Sequence, residues 1–171
     1  MITDIATIER LAKEREAENQ AFRKKLLAIP LKQVDELFIP LAIEAEQAID
    51  CTTCGNCCKK LEPEISEEET ERLAVLAPSG PAHFKQTQLG LEPDTGIGFM
   101  KARPCCFLSG TLCSIYSDRP ASCKDYPHLH HPRAKYRMKK ILDQYGVCPI
   151  VFNSVEALKK KLTQIQHEKF W

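Results

Sequence analysis

Nine of the 171 residues are cysteine, at positions 51, 54, 57, 58, 105, 106, 113, 123 and 148, and four of them fall within eight consecutive residues. Cysteines that serve as small buried hydrophobes scatter singly along periodic segments, so this crowding points to metal or redox chemistry. The run Cys51-Thr-Thr-Cys54-Gly-Asn-Cys57-Cys58 contains two overlapping CxxC hooks. Such a hook bends until two thiolates meet one metal, and Gly55, directly after Cys54, permits the tight turn this needs. Cys57 and Cys58 are chain neighbours whose side chains are expected to diverge, which predicts two metal atoms or one polynuclear cluster.

Thiolate-rich sites suit zinc and iron-sulfur alike. A zinc site made only of cysteine usually offers a second CxxC hook, yet seven, nine and 24 residues separate Cys105, Cys113, Cys123 and Cys148 in turn. That disfavours a plain zinc ribbon. Cys51, Cys54 and Cys57 with a remote Cys148-Pro149 are similar to the ferredoxin spacing C-x2-C-x2-C plus Cys-Pro, which favours iron-sulfur over zinc and leaves a metal-free redox dithiol third.

Further motifs follow the first run: Cys105-x-Phe107-Leu108, then Cys113-Ser-Ile-Tyr116-x-x-Arg119-Pro120-x-x-Cys123-Lys-x-Tyr126-Pro127. Over residues 51 to 127 the pattern resembles the CxxCxxCC family of zinc- or iron-chelating proteins, the YkgJ-like cysteine cluster proteins. The resemblance implies that Cys105 takes the family's cysteine and that Cys106 occupies the variable position before Phe-Leu. The implied ligands are Cys51, Cys54, Cys57, Cys58, Cys105, Cys113, Cys123 and, outside the best-matched block, Cys148. Eight thiolates are the number for two four-coordinate centres, which leaves no open coordination position and no hydrolytic or Lewis-acid activity. The family is described as iron-sulfur oxidoreductase-like, and a related cluster occurs in flagellin lysine methylases; neither reaction nor substrate follows.

Four thiolates around zinc(II) carry about two net negative charges. Lys59, Lys60, Arg103, Arg119 and Lys124 lie near the cysteines in sequence and are placed to offset them. Arg119 is the best candidate for supporting the ligands from just outside, because Arg119-Pro120 leads into the turn that bears Cys123. His128, His130 and His131 are candidate imidazole ligands, although histidines beside Pro127 and Pro132 more often face solvent; His83 and His167 show no partner.

These residues need elements to hold them. Thr3 to Leu27 carries apolar residues at helical spacing and predicts one long amphipathic helix, ended by Pro30; Leu31 to Ile49 predicts a second, with a kink expected at Pro40. Together they would form an N-terminal hairpin (residues 1–50) that scaffolds a cysteine core (51–127) and offers a homodimer contact. Ser66-Glu-Glu-Glu69 reads as a capping box opening a helix to about Leu76. Pro78 to Gly98 reads as loop with one helical turn. Cys105 to Tyr116 predicts a small hairpin with cysteines on both strands, and Pro120 to Tyr126 a single helical turn. In the C-terminal segment (128–171), Pro132 to Tyr145 predicts a helix, and Ser154 caps a last one with Val155, Leu158, Leu162 and Ile165 facing inward.

The expectation is therefore a mainly α single domain around a loop-rich metal core with one small β-hairpin. Lys and Arg at 24 against Asp and Glu at 23 give a net charge of +1, too weak a field for general nucleic-acid or membrane-surface binding. No stretch has the apolar length of a membrane span and the first ten residues are not signal-like, so a cytoplasmic location is expected. No phosphate loop, Ser/His/Asp order or dinucleotide fingerprint is present, so any enzyme here is at most iron-sulfur oxidoreductase-like. Two functions follow: an electron-transfer protein serving a partner enzyme, or a structural-zinc module that docks another protein around Lys59, Arg119 and residues 128–131.

Overall fold

The computed structural model describes residues 1–168, with side chains through residue 165, so the side chain of His167 lies outside the described residues. In chain order the helices are α1 (Ile5–Glu14), α2 (Glu16–Leu27), α3 (Leu31–Ala48), α4 (Asn56–Lys60), α5 (Glu67–Leu76), α6 (Pro81–Thr87), α7 (Ala121–Asp125), α8 (Ala134–Asp143) and α9 (Pro149–Glu168). The strands are β1 (Glu64–Ile65), β2 (Leu89–Leu91), β3 (Gly98–Met100), β4 (Leu108–Ser109) and β5 (Leu112–Cys113). The protein is mainly α, with small antiparallel pairings. Two compact units emerge: Met1–Asp50 with Pro127–Trp171, and Cys51–Tyr126.

The first unit is helical. The expected single N-terminal helix is two, because Arg15 leaves helical geometry (φ −100°, ψ 12°) between α1 and α2. The polar stretch around it offers no continuous apolar stripe, and the Arg15 guanidinium instead pairs with Glu156 of α9. Helix α3 runs through Pro40 and packs chiefly on α9 and α8, burying Val34, Phe38, Ala42 and Ala45. Each fully buried large side chain of this kind contributes about 1.5–3 kcal/mol. The expected hairpin partner of α3 is thus supplied mainly by the C-terminal helices. Helix α8 starts after Arg133, and the Asp35 carboxylate of α3 accepts from the Arg133 and Ala134 N–H groups at 2.8 Å each. Helix α9 begins at Pro149, a residue suited to a first helical turn, and not at Ser154. Ser154 is fully buried and its Oγ donates to the Ile150 carbonyl at 2.7 Å, so it bonds back along the helix.

The second unit is built from short pieces. The capping box is present as expected: Ser66 Oγ accepts from Glu69 N–H at 3.1 Å and Glu69 accepts from Ser66 N–H at 2.9 Å, opening α5. The segment expected to be loop with one helical turn holds the short helix α6, and it also supplies β2 and β3, which with β1 form a sheet in the order β1-β3-β2. Its strands are two or three residues long, too short to show a period in the sequence. Gly90 lies opposite Phe99, whose ring would come within 2.4 Å of a Cβ at that position. Ile65, Leu73, Ala74, Ala77, Phe84, Met100 and Phe107 form a small core, with Cys105, Cys106 and Cys113 packed against it.

Candidate metal centre

The first cysteine run folds as a 3₁₀ turn, Cys51–Thr53, followed by α4. The N–H groups of Cys54 and Gly55 both donate to the Cys51 carbonyl, at 3.3 and 3.4 Å. Gly55 then takes a left-handed conformation (φ 61°), and a Cβ there would sit 2.8 Å from the Thr111 carbonyl oxygen in the β4–β5 turn. The glycine expected from the hook geometry is thus needed twice, for its dihedral and for close approach of the second cysteine segment. Helix α4 carries Cys57 and Cys58 in its first turn, with their sulfurs 4.0 Å apart. Two thiolates on one tetrahedral zinc, at bonds of about 2.3 Å, are about 3.8 Å apart. The wide divergence expected of these neighbours is not found in their sulfur positions.

The second segment is tied to the first through the backbone, by a 2.8 Å hydrogen bond from Cys105 N–H to the Cys58 carbonyl. Phe107, 2% exposed, anchors the segment in the core of the unit and lies 5.8 Å, centroid to centroid, from Phe84. Strands β4 and β5 pair Leu108 with Cys113 across a turn at Gly110 (φ 64°). Cys105 and Cys106 precede β4, so of the hairpin's cysteines Cys113 alone is on a strand. Cys123 lies on α7, whose first N–H, that of Ala121, donates to the Glu69 carboxylate at 2.6 Å.

Electrostatics group the sulfurs. A charge on Cys58 would raise the thiols of Cys105, Cys113 and Cys123, and Cys105 and Cys113 act likewise on Cys123. Burial pushes Cys123 up to about 12 and also raises Cys113. The hydrogen bond from Cys57 draws Cys58 down to about 7, assisted by Lys59. Cys105 shares a hydrogen bond with Cys106 that raises the former and lowers the latter. Among the described residues no three cysteine sulfurs lie within 4.8 Å of one another, so closing a tetrahedron would take side-chain rotation. A set of four mutually interacting thiols, with no competing carboxylate in it, fits a soft-ligand metal such as zinc or iron.

The remaining candidates are distributed as follows. Cys51 is exposed and its Sγ lies 3.9 Å from the Tyr116 hydroxyl, a contact that raises the phenol. Arg119 lies over the Tyr116 ring, its guanidinium carbon 3.7 Å from the centroid, and donates to the Tyr116 carbonyl at 2.8 Å. Its charge also favours the Cys113 thiolate. Arg103 pairs with Glu62 at 2.6 Å. Cys148 is buried in the helical unit, just before α9. His128, His130 and His131 belong to that unit too, in a loop whose His128, His131 and Pro132 carbonyls accept from Arg137. Tyr116 is part of the motif Cys113-Ser-Ile-Tyr116-x-x-Arg119, but the sequence assigns it no role; it stands midway between Cys113 and Arg119 at intervals of three residues.

No helix among the described residues is long and apolar enough to cross a membrane. No curated protein and no solved structure matches the chain. One family model does, that of the "Putative zinc- or iron-chelating domain" named CxxCxxCC, over residues 50–149. The match takes in the whole second unit and reaches Cys148, beyond the block whose motifs carry the resemblance. It covers more than half of the sequence, and with the cysteine geometry it shows that the chain belongs to the CxxCxxCC family of zinc- or iron-chelating domains.

Proposed function

We propose that the cysteine unit holds an iron-sulfur centre and passes electrons to a protein partner that approaches near Lys59 and Arg119. What supports metal binding is the family match over residues 50–149, together with the 2.8 Å hydrogen bond from Cys105 N–H to the Cys58 carbonyl that ties the second cysteine segment to the CxxCxxCC run. The spacing of Cys51, Cys54 and Cys57 with Cys148-Pro149 supports iron-sulfur, and filled thiolate sites of that kind carry electrons. Within the cysteine unit the ligands in this reading are drawn from Cys51, Cys54, Cys57, Cys58, Cys105, Cys113 and Cys123, with Arg119 offsetting their charge.

One observation favours a second reading. The 4.0 Å separation of the Cys57 and Cys58 sulfurs suits two thiolates on one metal atom, as in a structural zinc site. The unit would then be a metal-stabilised docking module. Anaerobic purification with an absorption spectrum and iron, sulfide and zinc analysis separates the two. A coloured protein with iron and acid-labile sulfide supports electron transfer; a colourless one with stoichiometric zinc supports docking; a folded protein with neither metal overturns both.

A further inference from the structure

Among the described cysteines Cys51 is the exposed one, and the contact that its sulfur makes is not with another cysteine but with the Tyr116 hydroxyl at 3.9 Å. Tyr116 is itself held twice by Arg119, through the stacked guanidinium 3.7 Å from the ring centroid and the 2.8 Å hydrogen bond to the Tyr116 carbonyl. The three residues come from two segments, 65 residues apart in sequence between Cys51 and Tyr116. A phenol O–H is a donor, and a metal-bound thiolate has only acceptor capacity. Were Cys51 a metal ligand, the Tyr116 hydroxyl would be the partner placed to donate to its sulfur.

Resting on the reading of Cys51 as a ligand, we infer that Cys51 is the position through which the centre exchanges its metal with thiol-bearing carriers, and that Tyr116, oriented by Arg119, is the positioning residue that restrains it. The exchange is a ligand substitution. With Cys51 as a ligand, an incoming thiol would take its place on the metal and give its proton to the released Cys51 thiolate, with no electron changing hands. A hydrogen bond to a charged acceptor stabilises the bound thiolate, and the overlying ring narrows access to it.

The test uses the protein as purified with its own metal, and reads the rate of metal transfer to a chromophoric chelator at millimolar glutathione. Tyr116→Phe keeps the ring and removes the hydroxyl. It should retain metal content and thermal midpoint while releasing metal about three- to tenfold faster, in line with the loss of one charge-assisted hydrogen bond. Its thiolate-to-metal absorption should also shift, which a purely structural role would not produce. Tyr116→Leu removes ring and hydroxyl and should be at least as fast. If Tyr116→Phe matches the parent in rate and spectrum, the inference is overturned, whether or not Tyr116→Leu is faster. A parent protein that carries no metal overturns the metal reading itself, a result distinct from either.

Discussion

Gly55 shows how one residue can hold two halves of a site together. An alanine there would have to adopt φ 61° and place its Cβ 2.8 Å from the Thr111 carbonyl oxygen, a main-chain atom that cannot swing aside. The left-handed conformation alone costs about 1–2 kcal/mol for an L-residue, so Gly55→Ala should lose about 2 kcal/mol or more in denaturant unfolding, together with metal content. Ligand identity is decided at the same scale. Serine at Cys51, Cys54, Cys57, Cys58, Cys113 or Cys123 should reduce bound metal and soluble yield, because each removes a thiolate from a site whose binding energy is folding energy. Cys106→Ser should leave metal content unchanged, even though its thiol hydrogen-bonds to that of Cys105. If Cys106 proves essential and Cys105 dispensable, the register taken from the Phe-Leu motif is wrong by one residue. The cysteines were legible because their spacing is local chemistry. Tyr116 stands in the Cys113-to-Arg119 motif, but its contact with Cys51 was not legible, since it bridges two segments 65 residues apart.

Among the elements, α5 and α7 share the side chain of Glu69. Glu69 closes the capping box of α5 and also accepts the 2.6 Å hydrogen bond from Ala121 N–H, at the start of the helix that carries Cys123. Partial burial pushes its carboxyl up, but the N–H donors of Ala121 and Ser66 outweigh this and hold it below the ordinary 4.5. A carboxylate whose pKa is lower folded than unfolded contributes stability above the unfolded value and loses it as pH falls through the folded one. Glu69→Ala should therefore cost about 1 kcal/mol near neutrality, measured by denaturant midpoint, and the gap to the parent should shrink below about pH 4.5. The capping box was readable because Ser66 and Glu69 are three residues apart. The start of α9 was misread because Ser154 has the chemistry of a cap, whereas Pro149 and the Ile150 carbonyl decide the outcome. The three-stranded sheet escaped notice because strands of two or three residues carry no alternation, and Gly90 owes its place to the Phe99 ring opposite.

At the scale of the whole molecule, the helical unit buries large side chains along five helices, while the cysteine unit has a core of seven buried residues among short helices and two- or three-residue strands. So small a core leaves metal ligation a large part of that unit's stability. Stripping the metal with a strong chelator should abolish proteolytic protection between residues 51 and 126 while most of the helical circular dichroism persists; unchanged protection would contradict this dependence. The N- and C-terminal helices were individually visible as amphipathic patterns, but their pooling into one unit was not, because it depends on pairings such as α3 with α9 between the two ends of the chain. The central claim, that cysteine sulfur holds the metal of this family member, is met most directly by X-ray absorption at the zinc or iron edge of the purified protein. The account predicts a first shell made of sulfur at about 2.3 Å. A first shell dominated by nitrogen or oxygen would contradict it.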